Sequence, residues 1–197
     1  MVPTGLRWRA ARVLAPFLAA AVLILGLAAA ESAAQSATPG FSPAFRVRGR
    51  VDNPKTYRLA DLQAKPAHTV DVSFQGPGGI QHHSFTGTLL SDIVAFASPR
   101  YDAARKNDFL RWTARVHATD NYEVVVAFGE FDANFENKQV LLAYADNGQL
   151  LTDTGFARLV VPDDIRGGRY VSNVNLIALN PPLRGAVFPF PSLPEDD

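Results

Sequence analysis

Cysteine is absent from the 197 residues. That single absence excludes disulfides, thiolate metal centres and cysteine nucleophiles. No His-Glu-x-x-His, Gly-x-Ser-x-Gly or Gly-rich phosphate loop occurs either, which argues against the hydrolases that depend on those motifs. Histidine is scarce, at four residues, and only His82 and His83 are neighbours. There is no net charge, since 19 Lys+Arg balance 19 Asp+Glu.

One long apolar run is present, and it lies at the start. Arg7, Arg9 and Arg12 precede Val13 to Ala30, a stretch of Ala, Leu, Val and Ile without a charge. This is a signal-peptide pattern, and Ala28-Ala29-Ala30 and Ser32-Ala33-Ala34 offer small-residue cleavage sites. An uncleaved membrane anchor is the competing reading; Pro16, Gly26 and the many alanines weigh against it. No Arg-Arg pair marks twin-arginine export, so the expectation is Sec-type export to the periplasm or the exterior. Removing residues 1–30 takes away three Arg and no acid, leaving 16 Lys+Arg against 19 Asp+Glu, or minus three. A mildly acidic chain supplies no footprint for nucleic acid.

Apart from Glu31 and Phe41, residues 31–43 are Ala, Ser, Thr, Gln, Pro and Gly with little to bury, the pattern of a flexible lead-in. From Phe45 the chain alternates Phe45, Val47, Gly49 and Val51 with Arg46, Arg48 and Arg50, as a strand with one inward face does. Further strands are expected at 68–74, 81–85, 109–118, 123–128, 140–145, 157–161 and 170–179, with helices at 59–63 and after Thr88, which can cap the second. Gln75-Gly76-Pro77-Gly78-Gly79 reverses the chain between two of those strands. Strands outnumber helices and come mostly as adjacent pairs. The expected class is therefore α+β, with a strand-rich mixed sheet in a single domain over residues 44–180. Residues 181–197 form a Pro-rich tail.

Few residues carry obvious chemistry. His82 and His83 are adjacent on a strand, so they point to opposite faces, and a solvent-facing pair is the simpler reading than a shared metal. Asp120 and Tyr122 sit at a strand-to-strand corner, where Asp is also an ordinary turn former. Arg158 opens an apolar strand, and Arg166 and Arg169 bracket Gly167-Gly168 in a loop suited to an anion or an electron-rich heterocycle. Trp112 alternates with Ala114, Val116 and Ala118 and reads as core.

Taken in order, Gly49-Arg50-Val51 with Tyr57 to Leu62, Phe85 to Ile93, Ala118 to Tyr122, and Gly155 through Val171 resemble the molybdopterin-binding domain of the sulfite oxidase family, in a small exported form. The resemblance implies a pterin-sized cleft near the second strand, the Asp-x-Tyr corner and the Arg-bearing segment. Catalytic members place a cysteine on molybdenum where this chain has Ser73, Phe74 and Gln75. Oxygen or amide is a poor substitute for soft sulfur, which argues against a molybdenum cofactor and against any catalytic or metal-ligating residue. A pterin alone needs planes, supplied by Phe74, Tyr122 and Tyr170, an acceptor, supplied by Asp120, and cations, supplied by Arg158, Arg166 and Arg169. On that basis Asp120→Ala and Arg169→Ala are each expected to weaken pterin binding by about 1–3 kcal/mol.

The chain further resembles periplasmic pterin-responsive proteins that report to the outer domain of a membrane-bound enzyme of cyclic-di-GMP turnover. The resemblance thus implies a non-catalytic pterin-binding protein with a membrane-protein partner. Two alternatives stand beside it: a sulfite oxidase-like oxidoreductase with a non-cysteine metal ligand, and an exported interaction domain with an empty cleft.

Overall fold

The computed structural model describes residues 40–181. The expected signal peptide, the lead-in as far as residue 39 and all but the first residue of the Pro-rich tail lie outside them. Alternating apolar residues build two sheets whose inner faces feed one buried cluster. The first sheet has the order β2 (Lys55–Tyr57), β1 (Phe45–Gly49), β10 (Val174–Asn180), β5 (Thr113–Ala118), β6 (Glu123–Ala127). In it β1 runs parallel to β10 and the other pairs are antiparallel, so the sheet is mixed, as expected. The second has the order β3 (His68–Gly76), β4 (Gly79–Leu89), β7 (Leu141–Asp146), β8 (Gln149–Leu150), with β9 (Arg158–Val160) also paired to β7.

Period two decides which side chains go inward. Phe45, Val47, Ala114, Val116, Val124, Val126, Ile177 and Leu179 line the inner face of the first sheet, and Val72, Phe74 and Phe85 that of the second. Five successive residues of β7, Leu141 to Ala145, are buried. A central strand covered on both faces loses the alternation that marks its neighbours. Two short helices, α1 (Leu59–Gln63) and α2 (Leu90–Ala97), add Leu62, Leu90, Ile93, Val94 and Ala97 to the core. A third, α3 (Phe128–Phe131), continues from β6 and buries both of its phenylalanines.

The structure departs from the sequence expectation at four places. Thr88 does not cap α2: it is fully buried and its hydroxyl donates to the Leu62 carbonyl (3.1 Å), while Leu89 takes the capping position and the Leu90 N–H donates to the Val140 carbonyl. Tertiary acceptors have replaced the local one. Residues 41–43 are not a loose lead-in. The Ser42 hydroxyl donates to the Val174 carbonyl (2.7 Å), the Phe156 N–H donates to the Ser42 carbonyl (3.1 Å), and Phe41 packs on the core. The expected strand over 109–118 begins only at Thr113, because Asp108–Arg111 turns as a 3-10 helix around the Asp108 carboxylate. Likewise the expected strand over 170–179 begins at Val174, after a 3-10 turn at Gly167–Arg169.

That Asp108 carboxylate is buried, with 4% of its surface exposed. It accepts from the Asp102 N–H (2.8 Å), the Trp112 indole (3.0 Å) and the Arg111 guanidinium. Burial alone would raise its pKa, but these donors outweigh it and hold the group well below the ordinary carboxylate range. A depressed folded-state pKa contributes stability that is complete above the unfolded value and lost as pH falls toward the folded one. Asp108→Asn should therefore lower the urea midpoint at pH 7, and the gap from wild type should shrink steadily between about pH 4 and pH 2. Trp112, the tryptophan bonded to it, reports unfolding directly by fluorescence. A gap independent of pH would show that the charge of Asp108 contributes nothing.

Candidate functional site

A cleft of about 540 Å³ opens where the β3–β4 hairpin meets the loop before β10. Phe74, Gln75, Gly76, Pro77, Gln81, Arg158, Arg166, Gly167 and Gly168 line it. Strand register builds one wall: Gln81 lies opposite Phe74, and the backbone of Gln75 bridges to Arg166 while its N–H donates to the Ile165 carbonyl (2.8 Å). Close approach builds the other. A β-carbon on Gly167 would sit 2.8 Å from the Phe74 ring, so only glycine lets the loop lie against it.

Behind the lining the rings are ordered. Phe74, His83 and Phe85 stack in turn, with centroids 5.5 and 5.1 Å apart and planes within 13°. Tyr170 meets Phe74 edge-on at 4.5 Å. The Arg158 guanidinium lies 5.5 Å from the centre of the Phe85 ring, a cation–π distance. His83 therefore does not face solvent. Its Nδ1–H donates to the Asp146 carboxylate (2.7 Å), whereas His82 points the other way and bonds Ser73 at 2.7 Å. The sequence carried a signal for this, because Gln81, His83 and Phe85 share one face of a period-two strand. Nothing in the sequence marked Asp146.

Unpaired polar atoms concentrate here. Four buried side-chain polar atoms among the described residues have no hydrogen-bond partner, and three of them are Arg158 Nε, Asp146 Oδ1 and the Tyr170 hydroxyl. The Asp146 carboxylate also acts on Arg158 through its charge. Burial pushes the Arg158 pKa down against the pull of Asp146, though an arginine stays protonated at neutral pH. Burial likewise pushes Tyr170 up to about 12, so it is a neutral donor. An unsatisfied buried donor costs stability and calls for an explanation. A polar ligand in the cleft supplies one.

The expected site residues separate into three groups. Phe74, Arg158 and Arg166 line the cleft. Tyr122 and Tyr170 support it from behind: the Tyr122 hydroxyl donates to the Gly168 carbonyl (2.6 Å), tying the Asp-x-Tyr corner to the arginine loop. Asp120 and Arg169 are not among the lining residues. The Asp120 carboxylate accepts from the Tyr122 N–H (2.9 Å), as a turn former does. Arg169 is consumed by Asp164 (2.8 and 2.6 Å) and Glu130 (2.7 Å), which clamp the loop to α3 and keep the guanidinium charged. In the fold Asp120 thus makes a turn contact and Arg169 holds the loop, outside the lining where ligand contacts were expected of them. Gln75, Gln81, Gly167 and Gly168 complete the lining.

The profile of the oxidoreductase molybdopterin binding domain matches residues 42–180. The chain belongs to that family. Among solved structures it is similar to the sulfane dehydrogenase SoxCD from Paracoccus pantotrophus, at 20% identity and a TM-score of 0.57 over 70% of this chain. The aligned part is 38% of the SoxCD chain, so the likeness is one of fold. A search of curated proteins found no match. The family carries a pterin-type cofactor, and the cleft can be tested for fit to each part of it. Its aromatic wall, glycine loop and buried guanidinium suit a flat heterocycle with an amino-oxo edge. Its donors do not suit a metal. The lining contains amides and guanidiniums but no thiolate, imidazole or carboxylate, and Ser73 projects from the opposite face of β3 to Phe74, toward His82. No group of three or more His, Asp or Glu among the described residues is placed to hold an ion.

Proposed function

We propose that this domain is an exported, non-catalytic pterin receptor, which reports occupancy to the outer domain of a membrane-bound enzyme of cyclic-di-GMP turnover. The observation that carries the binding step is the buried Arg158 Nε, without a hydrogen-bond partner, on the wall of an aromatic cleft. Phe74 supplies a ring plane, Arg158 and Arg166 face the oxo edge or a side-chain phosphate, and the N–H groups of the glycine loop add donors. Export rests on the leader pattern of residues 1–30. The signalling partner rests on the resemblance to periplasmic pterin-responsive proteins. The family's oxidoreductase character favours a second reading, a molybdopterin-dependent enzyme with a non-cysteine ligand.

The two readings part on composition. Protein isolated from its native compartment is assayed for molybdenum by elemental analysis and, after denaturation, for a fluorescent pterin. The receptor reading expects a pterin in near-equal ratio to protein without molybdenum. Stoichiometric molybdenum would sink it in favour of the enzyme, and the absence of both would leave the cleft without a pterin role.

A further inference from the structure

A second concavity, of about 570 Å³, lies on the outer face of the other sheet. Arg48, Arg50, Arg111, Arg115 and His117 wall it, and Leu176, Ala178 and Asn180 of β10 form its floor. Register explains the arrangement. Ala178 lies beside Arg48 on one side and Arg115 on the other, while Leu176 lies beside Arg46 and His117. Adjacent strands stand about 4.8 Å apart, so the two cationic walls are about 10 Å apart across an apolar floor. From Leu176 to Asn180 the floor runs about 13 Å, at about 3.3 Å per residue. The shape is that of a short extended chain.

Charge is segregated as well. A chain that is net negative without its leader concentrates arginines on this one face. Arg111 pairs with Asp108, and Arg115 and His117 share Glu123 (3.3 and 2.9 Å). The exposed side chains of Arg48 and Arg50 have no partner among the described residues; the bonds that Arg50 makes to Leu179, Asn180 and Arg100 all come from its backbone. Keeping unneutralised guanidiniums together costs repulsion that an anionic partner would relieve. We infer that this trough docks an extended acidic segment of a partner protein, with its apolar side chains on Leu176 and Ala178 and its carboxylates toward the arginines. Nothing in the inference depends on what fills the cleft.

The test uses the full chain and a fluorescein-labelled octapeptide of alternating Glu and Leu, followed by anisotropy at low ionic strength. Arg48→Glu with Arg50→Glu should weaken binding about 30-fold or more. Ala178→Trp, which fills the floor and removes no charge, should weaken it comparably. Lys106→Glu, half that change of charge on an exposed residue outside the trough, should leave it within about twofold. Urea midpoints near wild type confirm that the variants fold. Unchanged binding in both trough variants overturns the proposal, as does an equal loss in Lys106→Glu, which would reveal unspecific attraction. Pyrophosphate binding stoichiometrically and as tightly as the peptide would overturn it in favour of a small-anion site. Peptide binding only after deletion of residues 182–197 would overturn it in favour of the chain's own tail.

Discussion

Arg158→Ala is expected to weaken pterin binding roughly 10- to 100-fold, the equivalent of about 1.5–3 kcal/mol for losing a charge-assisted hydrogen bond in a buried site. The measurement is a titration of unsubstituted pterin, followed by its own fluorescence. Arg158 Nε is buried without an acceptor in the free protein, and the guanidinium's contacts there are the Phe85 ring and the charge of Asp146, so the same substitution should lower urea stability by no more than about 1 kcal/mol. Arg169→Ala should behave in the opposite way. It strips Asp164 and Glu130 of their shared cation, and because solvent reaches the trio the expected cost is only about 1–2 kcal/mol, or about 3–6 °C in Tm. Asp120→Ala, which removes only a turn contact, should bind pterin as wild type does. Wild-type affinity in Arg158→Ala would remove that residue from the site and, with it, the main support for a pterin in this cleft.

The second large effect lies in the other sheet. Gly49 ends β1 at φ +127°, and a β-carbon there would fall 2.1 Å from the Leu179 carbonyl oxygen of the parallel neighbour β10. Gly49→Ala must both adopt a backbone region costly to other residues and push two central strands apart. Together these should cost about 3 kcal/mol or more. Urea unfolding followed by Trp112 fluorescence is the check, and a midpoint equal to wild type would show that the strands yield without penalty.

Much of the architecture was legible because alternation is a local property. Phe45 and Val47 against Arg46 and Arg48 announce a half-buried strand whatever lies next to it. The failures have a common cause. Thr88 looked like a helix cap because its hydroxyl is a good acceptor for nearby N–H groups, but the fold had the Leu62 carbonyl within reach and used the hydroxyl as a donor. The strand expected from residue 109 starts only at Thr113, because Asp108 nucleates a turn by collecting donors from Asp102, Arg111 and Trp112. Each was decided by a partner that local pattern does not report.

The amino-acid sequence by itself determined that no thiolate can reach a metal anywhere in this chain, and that one strand carries arginines on one face and core residues on the other. Only the tertiary structure decided which arginines line the cleft. Arg158 and Arg169 look equally suited in sequence; the fold bonds Arg169 to two carboxylates and buries Arg158 Nε without a hydrogen-bond acceptor. The reason is that a side chain's charge is written in its chemistry, whereas its partners are set by strand register and loop closure between residues far apart along the chain.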